Sequence, residues 1–538
     1  MKNSLKTRLL ALLMTLVMLF SLAACGGSDS DSGSNKNNDE PKKEKTEAAD
    51  SEESADSEEV TDIETKAETE TNIDDTNKFE DVNSIDHDDL SYVMIYNPKI
   101  YNENLRFDSS SLSTGYLGSQ VSIDFNRGDG LDEEKTPEYG FISQDSLNED
   151  VPWDKINLDG NRGEGIGFDY DEGDEREFFI YDTSMRNRYK EEFECIYAGE
   201  YCYIWTDGSG DEDALTDYGE EFDSNIYEEM VDTFGMPRFV SDDGGKVNLL
   251  FYPLQSNLLG FFTALDIFAE GEYTENEIES YGMNTGHAIV NINSRFLDYT
   301  DVVCGTMAHE FQHLICMSAA FDTVTGVYSD TWFNEGMSGY IEEKLYSGVK
   351  AMNGHFDSLN DSSRIRKGQS LYNFENDGYD IGVYGSVYYF SEFLVEIAGS
   401  DVFSDFYKYW RQSYSDTLCT AEGIYNAIPD STRDSINNSI AYSSNVSFEN
   451  DYEKFMSKLT FNYYLSVLSG ANIKGFDNIE PEDLLYDSID GTNIEGGGRI
   501  IVAVDGEFEI PKDAEAGLVY VGLDNKFRPI SDLEFICK

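Results

Sequence analysis

The sequence predicts an α+β protein, and three observations carry that expectation. Between residues 89 and 213, short runs such as "SYVMIYN", "QVSIDFN", "REFFIYD" and "YCYIW" alternate polar and apolar side chains. A period of two marks strands with one buried face, and the Gly, Asn and Asp clusters between the runs supply turns. This stretch is expected to form an N-terminal β-sandwich-like module. From 214 to about 470 the spacing becomes helical, with strands interspersed, as in a mixed β-sheet followed by a helical subdomain. The tail, 471–538, returns to strand-like runs in "RIIVAVDGEFEIPKDAEAGLVYVGLD" and predicts a small C-terminal β cap.

In chain order, the first segment sets the expected compartment. Lys2, Lys6 and Arg8 precede an apolar run from Leu9 to Leu22, the layout of a secretory signal over residues 1–24 and too short to span a bilayer comfortably. "LAAC", ending at Cys25 and followed by "GGSDSDSG", resembles a bacterial lipobox, whose cysteine is lipidated and becomes the new N-terminus. That resemblance implies a lipoprotein on the outer face of the cytoplasmic membrane, at the bacterial cell surface. Residues 25–88 are Ser, Asp, Glu, Thr and Lys with few large apolar groups. Such a segment cannot bury enough surface to offset its ordering entropy, so it reads as a disordered acidic tether.

The chain carries 106 acidic and 38 basic side chains, a net charge of -68. Phosphate backbones need Lys and Arg, so this balance excludes a nucleic-acid partner. It also disfavours docking on anionic lipid, which leaves the N-terminal acyl chain as the expected membrane contact. The protein is expected to be a monomer. Acidic chains also bind calcium, and "DGSGDEDALTDY" from Asp207 has oxygen-bearing residues at alternate positions. It lacks the turn glycine at its sixth position and the closing glutamate, so calcium is a secondary expectation. Of seven cysteines, Cys195 and Cys202 flank "IYAGEY". A turn at Ala198–Gly199 would set them opposite each other as a disulfide, with two free thiols the equal alternative.

The chemistry concentrates in "GTMAHEFQHLICM", Gly305 to Met317, which holds two of the five histidines in the chain. A helix capped by Thr300 or Asp301 and running to about Met317 would present His309 and His313 one turn apart on one face. Two imidazoles so placed can share a zinc ion, and Glu310 beside them is placed to act on water rather than on the metal. A third ligand is supplied by "WFNEGMSGY": Glu335 lies a little over twenty residues beyond His313, far enough for a second helix to pack back. Ser338 and Gly339, one turn on, are small enough to let two helices approach closely. Trp332, Phe333, Met337 and Ile341 read as core.

"HEFQHLI" followed by "WFNEGMSGYIEE" resembles the glutamate-type zincins, or gluzincins, and among them the hyicolysin family of bacterial secreted zinc metallopeptidases. The likeness extends more weakly to "EEFDSNIYEEMVDTFG", "KVNLLFYPL" and "YGSVYYFSEFLVE", covering roughly 214 to 468. It implies a gluzincin-like catalytic domain holding one catalytic zinc on His309, His313 and Glu335, with Glu310 as general base. It implies Tyr384 as the donor to the developing oxyanion; Tyr388, one turn later, is the runner-up, a core role for either tyrosine is the equal alternative, and nothing in the spacing of His287 and His355 supports them as donors. Thermolysin-type members carry an aspartate four residues after the ligand glutamate, where this chain has Gly339; the residue fixing the imidazole tautomers is therefore open. The strand "HAIVNIN" is expected to offer its edge to an extended peptide. Gluzincin aminopeptidases hold the substrate's free amine with a glutamate in a Gly-x-Met-Glu-Asn stretch before the metal helix. "YGMNTGHAIVNINS" has none, which predicts an endopeptidase acting on extracellular proteins or peptides. Two readings of other classes stand beside this one: a solute-binding lipoprotein, and a catalytically inactive surface or adhesion protein on a peptidase fold.

Overall fold

The computed structural model describes residues 84–100, 169–185, 187–240, 245–255, 258–267, 274–322, 329–346, 368, 370–372, 381–413, 418–442, 446–471, 485, 494–510, 517–530 and 536–537. Two short strands come first, β1 (Ser84–Asp86) and β2 (Tyr92–Tyr96). A meander follows: β3 (Glu175–Tyr181), β4 (Arg188–Ala198) and β5 (Cys202–Thr206). Along β4, buried Phe193 and Cys195 alternate with exposed Glu192 and Glu194, the pattern of a strand wet on one side. Next are α1 (Glu212–Glu221), a π-helical turn at Phe222–Ile226, and α2 (Tyr227–Phe234). Gly235 stops α2 at φ 89°, a conformation that favours glycine.

β6 (Val247–Tyr252), the two-residue β7 (Gly260–Phe261), α3 (Glu275–Tyr281) and β8 (Ala288–Asn293) lead to the central helices α4 (Thr300–Asp322) and α5 (Thr331–Leu345). A helical layer completes this part: α6 (Ile381–Ala398), α7 (Val402–Gln412), α8 (Thr420–Ala427), α9 (Asp430–Asn437) and α10 (Asp451–Leu468). The tail forms β9 (Arg499–Ala503), β10 (Glu507–Glu509), β11 (Val519–Leu523) and β12 (Ile536–Cys537).

The main sheet has the order β3-β4-β5-β6-β8-β7, parallel at β5/β6/β8 and antiparallel elsewhere. It curls until the rings of Tyr181 on β3 and Phe261 on β7 stand 5.5 Å apart. Side chains rather than a strand ladder stitch the seam. Asn284 both accepts from Phe179 N and donates to Phe179 O, at 2.8 Å each, while buried Arg188 donates to Phe179 O and to Asp266 Oδ1. Phe178, Phe193, Trp205, Leu250 and Ile289 fill the concave face, and the other face packs against α4 and its helical neighbours in one continuous core.

Sheet pairing regroups the segments that the sequence suggested. β2 is not part of a module with β3–β5; it is central in a four-stranded sheet of order β12-β11-β2-β9, and β1 pairs with β10. The expected 89–213 module is therefore divided between the tail sheet and the main sheet. Alternation along a strand fixes its faces and says nothing of partners hundreds of residues away. The tail sheet is docked on the helices through Tyr96, buried against Phe461 and Tyr464, with its hydroxyl donating to Ser457 O at 2.8 Å. The first described strand starts at Ser84, inside the stretch assigned to the tether.

Two further candidate features take a defined form. The candidate calcium loop is a turn and a helix start: Asp207 accepts from Ser209 N, and Asp211 caps α1 by accepting from Ala214 N at 3.1 Å. Cys195 and Cys202 are free thiols on opposite faces of the sheet, because Cys195 pairs with Trp205 across a bulge while Gly199 closes the turn onto Cys202. Among the described residues no helix is long and apolar enough to cross a membrane. The signal segment 1–24, Cys25, the tether to residue 83 and "QVSIDFN" lie outside the described residues.

Candidate metal centre

α4 runs five residues past the expected Met317 and is buried on every side from Val303 to Ala320. Apolar residues all round its circumference leave it no solvated face. It lies between the outer face of β8 and helix α5, so histidines on it point into protein rather than water. α5 packs along α4 at small residues. Ser338 donates to Gln312 Oε1 at 2.6 Å, and a Cβ at Gly305 would already meet Glu342 Cγ at 3.1 Å. Trp332, Phe333, Met337 and Ile341 are core, as their types suggested.

The helix pair brings His309, His313 and Glu335 together. Glu335 Oε2 stands 3.4 Å from His309 Nε2 and 3.6 Å from His313 Nε2, and no side chain of the three is more than 4% exposed. One ligand atom from each falls within 4.8 Å of the others, the single such cluster found among the described residues. A tetrahedral zinc ion with bonds of ~2.0–2.2 Å needs ligand atoms roughly 3.3–3.6 Å apart. His309 Nε2 and Glu335 Oε2 are buried without a hydrogen-bond partner, which leaves their lone pairs free for a cation. The residues present fit zinc.

The electrostatics ask for positive charge in this pocket. Burial opposes a charged His309, yet Glu335 and Glu342, with Glu310 behind them, outweigh it and hold its pKa at about 10. Burial lowers His313. Burial also works against ionised Glu335, but His313 and His309 bring its pKa to about 2. A proton on His309 therefore stands where a divalent cation would.

The other ring nitrogens are also engaged. His309 Nδ1 lies 3.2 Å from Glu342 Oε2, and His313 Nδ1 lies 2.6 Å from Asn334 Nδ2. Turning the Asn334 amide over would place Oδ1, which has no hydrogen-bond partner as oriented, on His313 Nδ1–H. Sequence reasoning missed both partners. Their spacing held the clue: Asn334 adjoins Glu335, and Glu342 is two turns beyond it on the same face.

Glu310 is fully buried beneath β7, where a Cβ at Gly260 would come within 3.2 Å of Glu310 Cγ. That contact moves the expected substrate edge. β7 pairs with β8 only at Asn291 and Ile292, so that end of "HAIVNIN" is covered and β7 ends the strand order beside Glu310. The pairing is decided by the short "GF" at 260–261, too brief for alternation to reveal.

The described residues place two of the candidate oxyanion donors, Tyr388 and His287. The side chain of Tyr384, and all of His355, lie outside the described residues. Tyr388 is buried with its hydroxyl donating to Glu392 Oε1 at 2.8 Å, and burial, then Glu392 and Glu343, push its pKa up. His287 sits 2.6 Å from Arg176 Nη2, on the strand-seam side of the sheet.

No family model matches the chain. Over 247 residues it is 27% identical to the neutral metalloprotease ShpI of Staphylococcus hyicus, covering 43% of this chain and 52% of that protein. The chain thus spans about half the length of that curated relative.

Proposed function

We propose that this chain is a zinc-dependent endopeptidase that hydrolyses peptide bonds within extracellular proteins or peptides. The observation that carries the reading is the buried convergence of His309, His313 and Glu335 at separations suited to one tetrahedral ion. Similarity to a metalloprotease supports it. Bound there, zinc would supply Lewis acidity, bringing the pKa of water toward ~7 and polarising the substrate carbonyl.

The chain's own residues would do the rest. Glu310, next to His309 and under the edge strand, takes a proton from the attacking water and returns it to the leaving amine. β7 is placed to align an extended peptide as an added strand across that carboxylate. The stretch around it, "LLGFFTAL" from Leu258 to Leu265, holds no acidic residue, and the following Asp266 is paired with Arg188. A free substrate amine would lack a charge partner there, so the cleft suits the middle of a chain. Tyr384 remains the proposed oxyanion donor. Cys25 is the proposed lipid anchor, and the acidic segment after it would hold the domain off the outer face of the cytoplasmic membrane.

A protein-substrate zymogram with and without chelator, read beside zinc analysis, tests this. The expected result is one zinc per chain and clearing that chelator abolishes, with Glu335→Ala losing both. Zinc-free protein, or clearing indifferent to chelator, would refute the reading.

A further inference from the structure

We propose that Glu342 is the positioning residue for His309, seated in a slot that Gly305 leaves open on α4. This rests on the zinc reading above and supplies the tautomer-fixing group for which position 339 has no side chain. Glu342 follows Glu335 by seven residues, two helical turns, so both carboxylates project from one face of α5 toward α4. Its Oε2 lies 3.2 Å from His309 Nδ1, opposite the nitrogen that faces Glu335.

Gly305 stands one turn before His309. A Cβ there would lie 3.1 Å from Glu342 Cγ, 3.4 Å from Oε1 and 3.6 Å from Cδ, so only glycine lets the carboxylate pass without displacing it. Glu342 is 2% exposed, and a carboxylate so buried is stable only when paired. The group that faces this carboxylate is the His309 imidazole.

The consequence for His309 is definite. To bind a cation through Nε2 the ring must be neutral with its proton on Nδ1, and that N–H needs an acceptor. Glu342 accepts it, fixes the ring plane toward Glu335, and makes Nε2 the more basic donor. His313 has an uncharged amide, Asn334, in the equivalent place, so the two histidines are held unequally. Glu342 touches neither substrate nor reacting atoms and acts only through His309.

Competition with a chromophoric zinc chelator measures the zinc Kd of the wild type, Glu342→Ala and Glu342→Gln, with Glu335→Ala as the ligand-loss control. Melting of each zinc-free protein is followed in parallel. Glu342→Ala should weaken zinc by about 10–100-fold, the usual effect of removing such a partner. Glu342→Gln keeps an acceptor oxygen and should recover much of that loss, and melting of the zinc-free variants shows that each is folded at the temperature where its Kd is read. Wild-type Kd in Glu342→Ala would overturn the proposal, as would a loss in Glu342→Gln as large as that in Glu342→Ala. A wild type that binds no zinc would instead sink the zinc reading on which it stands.

Discussion

Gly260 of β7 lies directly against Glu310 of α4: a methyl group at position 260 would stand 3.2 Å from Glu310 Cγ, 2.6 Å from Thr306 Cγ2 and 2.9 Å from Asn291 O. The third of these neighbours is backbone of the paired strand and cannot swing aside. The edge of the sheet and the proposed base are thus fixed relative to each other by the absence of one side chain.

Gly260→Val should therefore damage turnover more than metal binding. Overpacking of this kind costs about 1–3 kcal/mol, and small displacements of reacting groups can lower rates by up to roughly 100-fold. The expected outcome is near-normal zinc content with kcat/KM reduced at least about tenfold. Unchanged kcat/KM on a quenched peptide would show that β7 does not set the position of Glu310.

The seam of the curled sheet predicts an acid sensitivity separate from the metal. Burial, and then the Arg176 guanidinium, lower the pKa of His287 to about 3, against about 6.5 in an unfolded chain. Between those values the unfolded chain binds a proton that the folded one refuses, so this contribution is full above pH 6.5 and falls as pH drops toward 3. Its size is on the order of 5 kcal/mol across that window. Denaturation of chelated protein at pH 4.5 and 7.5 should show a smaller loss in His287→Gln than in wild type. Equal losses would contradict a neutral buried His287.

Cleavage should occur inside chains. Neither "YGMNTGHAIVNINS" nor "LLGFFTAL" carries a glutamate to hold a substrate ammonium, and leaving such a charge desolvated and unpaired costs several kcal/mol. A peptide blocked at both ends and internally quenched should be cut well, and a free aminoacyl anilide poorly. Efficient hydrolysis of the anilide alone would reverse the assignment and leave the metal site untouched.

The grouping of His309, His313 and Glu335 was legible because helix geometry converts sequence spacing directly into facing side chains. The same local rule made the strands β2, β3, β5, β6 and β8 readable. What escaped was long-range. Tyr96 belongs with Phe461 and Ser457, more than 360 residues away, and no local period announces that pairing. Glu342 was missed for a different reason: its spacing from Glu335 was visible, but its partner depended on the glycine at 305 across the helix interface. The two-residue β7 carried too few positions to show alternation at all.

The central claim, that Glu310 performs base chemistry beside a zinc held by other residues, is tested most directly by kcat/KM of Glu310→Gln measured on protein shown to carry zinc. The substitution keeps shape and hydrogen bonding while removing the carboxylate. The account predicts one zinc per chain and a rate about 10²–10⁴-fold below wild type. A zinc-loaded Glu310→Gln protein that keeps more than about a tenth of the wild-type rate would contradict it.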